Sequence, residues 1–367
     1  MQDSRRFWSW KTAQIVPYVP GEQPVDTSLI KLNTNENPYD PAPEVIDAVS
    51  TADPDDFRLY PDPENRRLRQ VLSDYYGVAP DCIFVGNGSD EVLAMAFQAF
   101  FTCRRPSNAP DHLTETLYFP DITYSFYPVY AALYDIPYQT FALDDDLALN
   151  PADVPDGGTG LVLANPNAPT GRALPLRDIR ALLKANPDRL VLVDEAYIDF
   201  GGESAIALLP DHDNLLIVQT MSKSRALAGL RVGCAIGPPD LIEGLRRIRD
   251  SFNSYTVDRI AQKAAIAAVQ AAGWFERTRA AVIATREWFS AELDQLGFTV
   301  IPSSANFVLT SHPEYDAAWL QDRLRQQKIL VRRFNLPRIA DYLRISIGRQ
   351  EDMERVRDVL RDLCGNR

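Results

Sequence analysis

A short stretch of the chain, TMSKSRALAGLRVG (residues 220–233), combines a lysine with hydroxyl neighbours and a following arginine. Thr220 and Ser222 precede Lys223, and Arg231 follows it by eight residues. A lysine amine in a partly desolvated cleft beside another cation can act as a nucleophile, and a guanidinium can bind a phosphate through two hydrogen bonds. The stretch therefore predicts a covalent lysine beside an anion site, and a surface lysine is the plain alternative.

Further polar residues stand where apolar runs end. RLVLVDEAYIDF ends such a run on Asp194 and places Tyr197 three residues later. CIFVGNGSDEVL passes through two glycines into helix-like text, which brings Ser89 and Asp90 to a helix N-terminus, where free backbone N–H groups suit a phosphate. The alternatives are an ordinary glycine turn and a carboxylate that caps the next turn.

Taken together, these groups are the ones that an aldehyde cofactor with a phosphate tail and a pyridine nitrogen requires. A lysine forms the Schiff base, an aspartate keeps the ring nitrogen protonated, and an arginine with a helix N-terminus holds the phosphate. Pyridoxal 5'-phosphate meets all of these requirements.

The elements that position these residues are indicated by short apolar runs that alternate with helix-like text. Continuous apolarity without alternation is typical of strands buried on both faces, hence of a mostly parallel sheet between helices. Ligands of such α/β sheets bind beyond the carboxyl ends of the strands. The runs are CIFVG (82–86), TLYFP (116–120), GLVLAN (160–165), RLVLVDE (189–195), NLLIVQT (214–220) and RVGCAIG (231–237).

Three regions follow from the pattern. Prolines at positions 17, 20 and 24 predict an extended arm over residues 1–40. Residues 41–260 hold the runs of the predicted sheet and form the large domain. A helical stretch broken near Gly273 and a second set of strands and helices predict a small α+β domain over residues 261–367.

Composition and charge exclude several classes of protein. The chain has 367 residues, 46% hydrophobic and 24% charged, with a net charge of -12, which argues against a nucleic-acid or acidic-membrane surface. We find no run near the roughly 20 apolar residues that span a bilayer, and expect a cytoplasmic protein. The 4 cysteines and 3 histidines lack metal-ligand spacing, so no metal site is expected.

The sequence resembles the fold-type-I pyridoxal-phosphate aminotransferases and, among these class II enzymes, the histidinol-phosphate aminotransferases. The resemblance covers nearly the whole chain and implies a large domain with a mostly parallel mixed sheet plus a smaller α+β domain. The segments that carry it, in the family's order, are LNTNENPY, YPDPENRRLR, GNGSDE, TYSFY, NPNAPTG, VDEAYIDF, TMSKSRALAGLRVG, ANFVL and LRISIG.

The resemblance assigns roles around the cofactor. It implies that Lys223 binds the aldehyde and moves the proton at the substrate Cα, that Asp194 pairs with the pyridine nitrogen, and that Tyr197 pairs with the phenolic oxygen. Tyr124 would stack on the ring. The phosphate would be surrounded by Ser89, Asp90, Thr220, Ser222 and Arg231, and by Tyr60 of the neighbouring subunit, so the resemblance also implies a homodimer.

On the substrate side, the resemblance implies that Arg344 takes an α-carboxylate. Arg332 would meet the phosphate of histidinol phosphate or the side-chain carboxylate of glutamate, and Tyr18, Asn35 and Asn306 would lie nearby. The implied reaction is transamination between L-histidinol phosphate and 2-oxoglutarate in histidine biosynthesis. An aromatic amino-acid aminotransferase, a threonine-phosphate decarboxylase and a non-catalytic α/β binding protein stay open as alternatives.

One position departs from the family pattern. The family commonly has an asparagine directly before Pro-Thr-Gly, where it holds the phenolic oxygen, whereas this chain has Ala168 there and an asparagine at Asn167. Either Asn167 takes over the contact through a shifted turn, or the contact is weakened. A polar loop over residues 102–116 is also longer than expected and is predicted to be exposed.

Overall fold

The computed structural model describes residues 6–101 and 115–365, so most of the predicted loop at 102–116 lies outside the described residues. Within these ranges no helix is long and apolar enough to cross a membrane. The strands are β1 (Ile30–Leu32), β2 (Ile83–Asn87), β3 (Leu117–Pro120), β4 (Tyr138–Phe141), β5 (Gly160–Ala164), β6 (Leu190–Asp194), β7 (Leu215–Thr220), β8 (Val232–Ile236), β9 (Thr299–Ile301), β10 (Phe307–Ser311), β11 (Ile329–Arg333) and β12 (Leu343–Ser346).

Helices and strands are interspersed in the first two thirds of the chain, although no α-helix separates β4 from β5 or β6, β7 and β8 from one another. The helices are α1 (Trp10–Gln14), α2 (Pro43–Ser50), α3 (Pro54–Arg58), α4 (Arg66–Tyr76), α5 (Gly88–Phe100), α6 (Tyr127–Leu133), α7 (Leu176–Ala185), α8 (Pro239–Asp250), α9 (Arg259–Gln270), α10 (Ala272–Gln295), α11 (Ala317–Gln326) and α12 (Gln350–Cys364).

The large sheet has the strand order β2-β8-β7-β6-β5-β3-β4, and β8 runs antiparallel to both of its neighbours while the other pairs are parallel. Successive side chains of a central strand enter different cores: Val191 and Val193 pack with α2, α4, α7 and α9, and Leu192 packs with α5 and α8. Burial on both faces explains the continuous apolarity of the runs. The mixed, mostly parallel sheet expected from the sequence is confirmed.

β4 is the strand of the large sheet that the sequence pattern did not reveal. It lies at the edge of the large sheet, and three of its four residues are exposed. An edge strand with little buried side-chain surface needs no apolar run, and therefore leaves a weak signal in the sequence.

The second sheet has the order β1-β11-β12-β10-β9 and packs on α10, α11 and α12 through one face. β1 comes from the predicted arm and pairs in parallel with β11, from Ile30 opposite Ile329 to Leu32 opposite Val331. Because side chains alternate along a strand, Val331 enters the core while Arg332 points to the other face.

The helical stretch is interrupted at Ala271, close to the predicted break near Gly273. Its two helices belong to different cores. Ala261, Ala264 and Ala265 of α9 pack with the large sheet, whereas Val282 and Phe289 of α10 pack with the small one. The predicted limit at residues 260 and 261 therefore falls inside a helix that packs on the large sheet.

Candidate active site

A group of polar side chains gathers at one edge of the large sheet. β2, β5, β6 and β7 end at this edge because they run parallel to one another through the sheet. β8 runs the other way and begins there, since Val232 pairs with Asn87 and Gly233 with Thr220. Arg231, which precedes a strand, is thereby placed beside residues that follow strands.

A cavity of about 390 Å³ lies between this edge, the small sheet on the face opposite its helices, and the arm. All but three of the residues predicted to bind cofactor or substrate line it. These are Tyr18, Asn35, Ser89, Asp90, Tyr124, Asp194, Tyr197, Thr220, Ser222, Lys223, Arg231, Arg332 and Arg344.

One end of the cavity is a set of hydrogen-bond donors around the start of α5. The first N–H groups of a helix lack intrahelical partners, and α5 begins at Gly88. The hydroxyls of Thr220 and Ser222 lie 3.0 Å apart, and Arg231 Nη1 lies 3.5 Å from Ser222 Oγ. A Cβ on Gly233 would lie 2.4 Å from the Ser89 nitrogen, so only glycine lets β8 approach this turn. Together these donors form a pocket for an anion.

Asp90 organises this donor set rather than adding a donor to it. Its carboxylate accepts from Tyr124 Oη at 2.8 Å and from Arg231 Nη2 at 3.1 Å. An ionised carboxylate has no hydrogen to donate, so any contribution of Asp90 to anion binding must come from its backbone N–H. The side chain instead fixes the Tyr124 ring and the Arg231 guanidinium.

Asp194 closes β6 in a nearly dry position, with 5% of its surface exposed. Its carboxylate accepts from Tyr127 Oη at 2.9 Å and from the Ala196 N–H at 3.2 Å. Burial raises the pKa of Asp194 to about 6, and these two hydrogen bonds oppose the rise. A cationic partner in the cavity would restore the charged carboxylate, because an opposite charge favours ionisation.

Lys223 lies between the anion pocket and the small sheet. Its Nζ donates to the Thr34 carbonyl at 3.1 Å and lies 5.7 Å from the centre of the Tyr197 ring. Two neighbouring residues, Ala226 and Arg231, have left-handed backbone with φ of 57° and 52°. Such conformations are uncommon outside glycine and concentrate at functional sites.

The small sheet presents two arginines to the cavity from neighbouring strands, since Arg332 pairs with Arg344 in the β11–β12 register. Arg344 Nη2 donates to the Asn33 carbonyl at 2.8 Å, and its Nε is buried without a described partner. The cavity lining contains four basic side chains, Lys223, Arg231, Arg332 and Arg344, and two carboxylates, Asp90 and Asp194. The site is therefore locally positive in a chain of net charge -12, which suits anionic ligands.

Three predicted residues do not line the cavity. The Asn167 amide donates to the Ile122 carbonyl and to Thr170 Oγ1, each at 3.0 Å, and accepts from Thr123 Oγ1 at 3.1 Å. Those bonds turn it away from the cavity, and the Ala168 methyl lines the wall instead. Asn306 is fully buried and donates to the Asn35 carbonyl.

Tyr60 is the third, and it lies on the surface. Its side chain is 76% exposed and stacks on Tyr255 with the ring centres 4.5 Å apart. Its backbone carbonyl is fixed by Arg259, whose Nη2 donates to it at 2.9 Å.

Sequence reasoning missed several residues of the site. Tyr127 supplies the hydroxyl bonded to Asp194, and Phe126 and Phe334 form aromatic walls of the cavity. The cluster TYSFYPVY, with four aromatic residues directly after a predicted strand, is the signal that could have revealed the first two. Asn33 and Thr34 contribute mainly through backbone carbonyls, which no sequence pattern identifies.

Comparison with known sequences gives a consistent result. The family described as aminotransferase class I and II matches residues 27–360. A histidinol-phosphate aminotransferase of Acetobacter pasteurianus is 53% identical over 362 residues, which cover 98% of this chain and 99% of that protein. Histidinol-phosphate aminotransferase 1 of Bordetella parapertussis is 54% identical over 95% of this chain and 96% of its own length.

Solved structures agree in fold. The histidinol-phosphate aminotransferase of Sinorhizobium meliloti, in complex with pyridoxal-5'-phosphate, superposes with a TM-score of 0.79 at 25% identity, over 91% of both chains. That of Clostridium acetobutylicum gives a TM-score of 0.82 at 22% identity, over 92% of this chain and all of that one. From its identity to these relatives over nearly its full length, the chain belongs to the class I and II aminotransferases and, within them, to the histidinol-phosphate aminotransferases.

Proposed function

We propose that this aminotransferase uses pyridoxal 5'-phosphate to move the amino group between L-histidinol phosphate and 2-oxoglutarate, giving imidazole-acetol phosphate and L-glutamate in histidine biosynthesis. The observation that carries the proposal is the order of groups across one cavity. A donor set for a phosphate lies on one side of Lys223, and Arg332 and Arg344 lie on the other.

The residues present fit the cofactor. Ser89, Thr220, Ser222 and Arg231 would hold its phosphate, since hydroxyls, a guanidinium and a helix N-terminus are all donors to anions. Asp194 would face the pyridine nitrogen, whose positive charge would offset the burial of that carboxylate. Once bound through Lys223, the cofactor supplies an electron sink for the bonds at the substrate Cα.

The chain's own groups then have separate tasks. Lys223 Nζ takes and returns the proton of the substrate Cα, a step for which an amine within hydrogen-bonding reach is suited. Tyr124 and Arg231 are held by Asp90, so that the anion pocket is formed before a ligand enters. Preformed donors bind charge without reorganisation.

The substrate side favours phosphate and carboxylate groups. An arginine fork binds either anion through coplanar oxygens, so one pair of arginines can serve both substrates of the exchange. Tyr18 and Phe126 stack with their ring centres 4.3 Å apart at the mouth of the cavity, and would form an aromatic wall beside an imidazole ring.

A substrate panel tests the assignment. We expect kcat/KM for L-histidinol phosphate with 2-oxoglutarate to exceed that for phenylalanine and tyrosine by about 100-fold, because these lack the phosphate. Equal turnover of phenylalanine would identify an aromatic aminotransferase. Carbon dioxide released from phosphothreonine without 2-oxoglutarate would identify a decarboxylase, and a protein without visible absorbance after cofactor addition would be a binding protein.

We also propose a homodimer in which Tyr60 reaches the phosphate of the neighbouring subunit's cofactor. Tyr60 and its stacking partner Tyr255 form an exposed aromatic patch, and Phe57 and Phe252, each three residues away from one of them in the chain, are exposed as well; the exposed fractions of Phe57, Phe252 and Tyr255 are 74%, 62% and 44%. Patches of this kind mark protein interfaces. Tyr60 is also absent from the cavity lining of its own chain, as expected for a residue that serves the partner.

Hybrid dimers test this arrangement. Lys223→Ala and Tyr60→Ala subunits, each inactive or impaired alone, should regain about a quarter of wild-type activity when mixed, because half of the dimers carry one intact site in two. Unmixed variants at the same concentration are the control. If Tyr60 served its own chain, no hybrid site would be intact and mixing would restore nothing.

We propose a cytoplasmic location as well. Cys82, Cys234 and Cys364 are free thiols in the described part of the chain, as is usual in a reducing compartment.

A further inference from the structure

A chain of buried hydrogen bonds runs from the small sheet to the hydroxyl of Tyr197. It starts at Ser346, the last residue of β12, and passes through Asn35, which follows β1. Both residues are buried, with 3% and 1% of their surfaces exposed. None of the roles assigned above explains Ser346, which does not line the cavity.

The bonds between Ser346 and Asn35 are reciprocal. The Asn35 backbone N–H donates to Ser346 Oγ at 2.9 Å, and Ser346 Oγ donates to Asn35 Oδ1 at 2.8 Å. A serine hydroxyl has a single hydrogen, and the oxygen here already accepts from the backbone. Its hydrogen is therefore committed to the amide oxygen of Asn35.

This pairing fixes the orientation of the Asn35 amide. With Oδ1 facing Ser346, Nδ2 faces Tyr197 and donates to its Oη at 2.9 Å. The Tyr197 oxygen is then an acceptor in this bond, so its own hydrogen points elsewhere and is available to the cavity that Tyr197 lines.

The backbone of Asn35 is held equally firmly. Its φ of 56° lies in the left-handed region, which asparagine tolerates better than most residues. The fully buried Asn306 donates to its carbonyl at 3.0 Å, so both peptide groups of Asn35 are tied to the small sheet. Both the backbone position of Asn35 and the orientation of its side-chain amide are therefore fixed.

These hydrogen bonds matter more in this chain because Ala168 stands where the family commonly has an asparagine. A methyl group stands where an amide could donate to a ligand, and the Asn167 amide is engaged by Ile122, Thr123 and Thr170. If the cofactor binds here, the Tyr197 hydroxyl would therefore supply more of the hydrogen bonding to its phenolic oxygen than it would beside an asparagine.

We propose that Ser346 is a positioning residue which, through Asn35, keeps the Tyr197 hydroxyl as a donor toward the phenolic oxygen of the cofactor. Without the serine hydroxyl the amide can turn over and present Oδ1 to Tyr197, which would then donate to Asn35. The inference rests on the proposed role of Tyr197, and its test separates the two.

The test is a pH titration of the visible absorbance of the holoenzyme. A donor to the phenolic oxygen favours the deprotonated chromophore, so its loss raises the pH midpoint, by about one unit for one hydrogen bond to a charged group. We expect Ser346→Ala and Tyr197→Phe each to raise the midpoint, and the double variant to raise it no further than Tyr197→Phe alone. Ser346→Thr, which keeps a hydroxyl, should restore the wild-type midpoint.

A matched control is Thr310→Val, which removes a fully buried hydroxyl bonded to the Thr299 carbonyl in the same sheet. It should lower the melting temperature without moving the midpoint. An unmoved midpoint in Ser346→Ala together with a raised one in Tyr197→Phe would overturn the inference and leave the role of Tyr197 intact. If Tyr197→Phe itself has no effect, the proposed role of Tyr197 fails.

Should Ser346→Ala not yield a folded holoenzyme, Asn35→Asp replaces the amide donor by an acceptor of the same shape. We expect Asn35→Asp to raise the pH midpoint in both proteins. The shift should be larger when Tyr197 is present than in Tyr197→Phe, where only the added negative charge acts. Equal shifts in both backgrounds would overturn the inference.

Discussion

The two sides of the cavity differ in how completely their polar groups are paired. On the large-sheet side, Asp90 is bonded to Tyr124 and Arg231, and Asp194 to Tyr127. On the small-sheet side, buried atoms of two residues that line the cavity have no described partner, namely Asn33 Oδ1 and Arg344 Nε. Buried polar atoms without partners are costly, and usually mark a place that a ligand or water completes.

The difference indicates a division of labour. A paired set of groups is suited to a ligand that stays, because its geometry does not depend on what is bound. An incomplete set is suited to ligands that exchange, because the missing bonds are made anew by each. We infer that the large-sheet side serves the cofactor and the small-sheet side the two substrates in turn.

Removing the Lys223 amine, which lies between the two sides of the cavity, should have the largest effect on activity. Lys223→Ala should lower the transamination rate by more than about 10⁴-fold, since both the covalent contact and the proton transfer are lost. Steady-state kinetics measure the rate, and Lys184→Ala, at an exposed position of α7, is the control. Full activity in Lys223→Ala would refute the assignment of the site.

Arg344→Gln tests whether the small-sheet side binds substrates alone. We expect KM for histidinol phosphate and for glutamate to rise about 10- to 100-fold, the effect of one charge-assisted hydrogen-bonded pair, with cofactor retention unchanged. Spectroscopic titration of the cofactor into the apoprotein measures retention. Loss of cofactor in this variant would contradict the inference that the small-sheet side binds only the substrates.

Asn167→Ala tests whether hydrogen bonds among its own residues stabilise the large-sheet side of the cavity. Its amide makes three buried hydrogen bonds outside the cavity, so the variant should lose about 2 kcal/mol of unfolding free energy. Denaturant unfolding measures this loss, and the visible spectrum of the holoenzyme should not change. A changed visible spectrum with an unchanged free energy of unfolding would instead show that Asn167 contacts the cofactor.

The smallest effect concerns the pH dependence of the apoprotein. Burial raises the pKa of Asp194 from 3.8 to about 6, so the folded state binds more protons than the unfolded state between these values. The stability from this group is complete below 3.8 and is lost as the pH rises through 6. When the pH is raised from 5 to 8, the free energy of unfolding of the wild-type apoprotein should fall by about 1 kcal/mol more than that of the Asp194→Asn apoprotein.

Glu195 serves as an internal reference for that comparison. Burial raises its pKa to about 7, and it titrates in both proteins. The difference between the two unfolding curves therefore isolates Asp194. Identical pH dependence in wild type and variant would show that Asp194 is not held in its protonated form by burial.

Much of the large domain was predictable because its signals are local. Six apolar runs correspond to strands whose ends differ from those of the runs by at most one residue, and the residues that close the parallel strands lie at one edge because these strands share a direction. Arg231 is the exception, since it precedes an antiparallel strand whose direction no local pattern specifies. The edge strand β4 and the placement of α9 were missed because each depends on a distant partner.

The sequence alone determined which chemical groups are available and in what order they leave the strands, because strand burial and turn chemistry act over a few residues. It could not decide the direction of a side chain within a loop. The tertiary structure decided that Asn167 faces away from the cavity and that Ser346 meets Asn35, two residues 311 positions apart in the chain. Such contacts arise only when both sheets are folded, because the hydrogen bonds that orient the side chains come from remote segments.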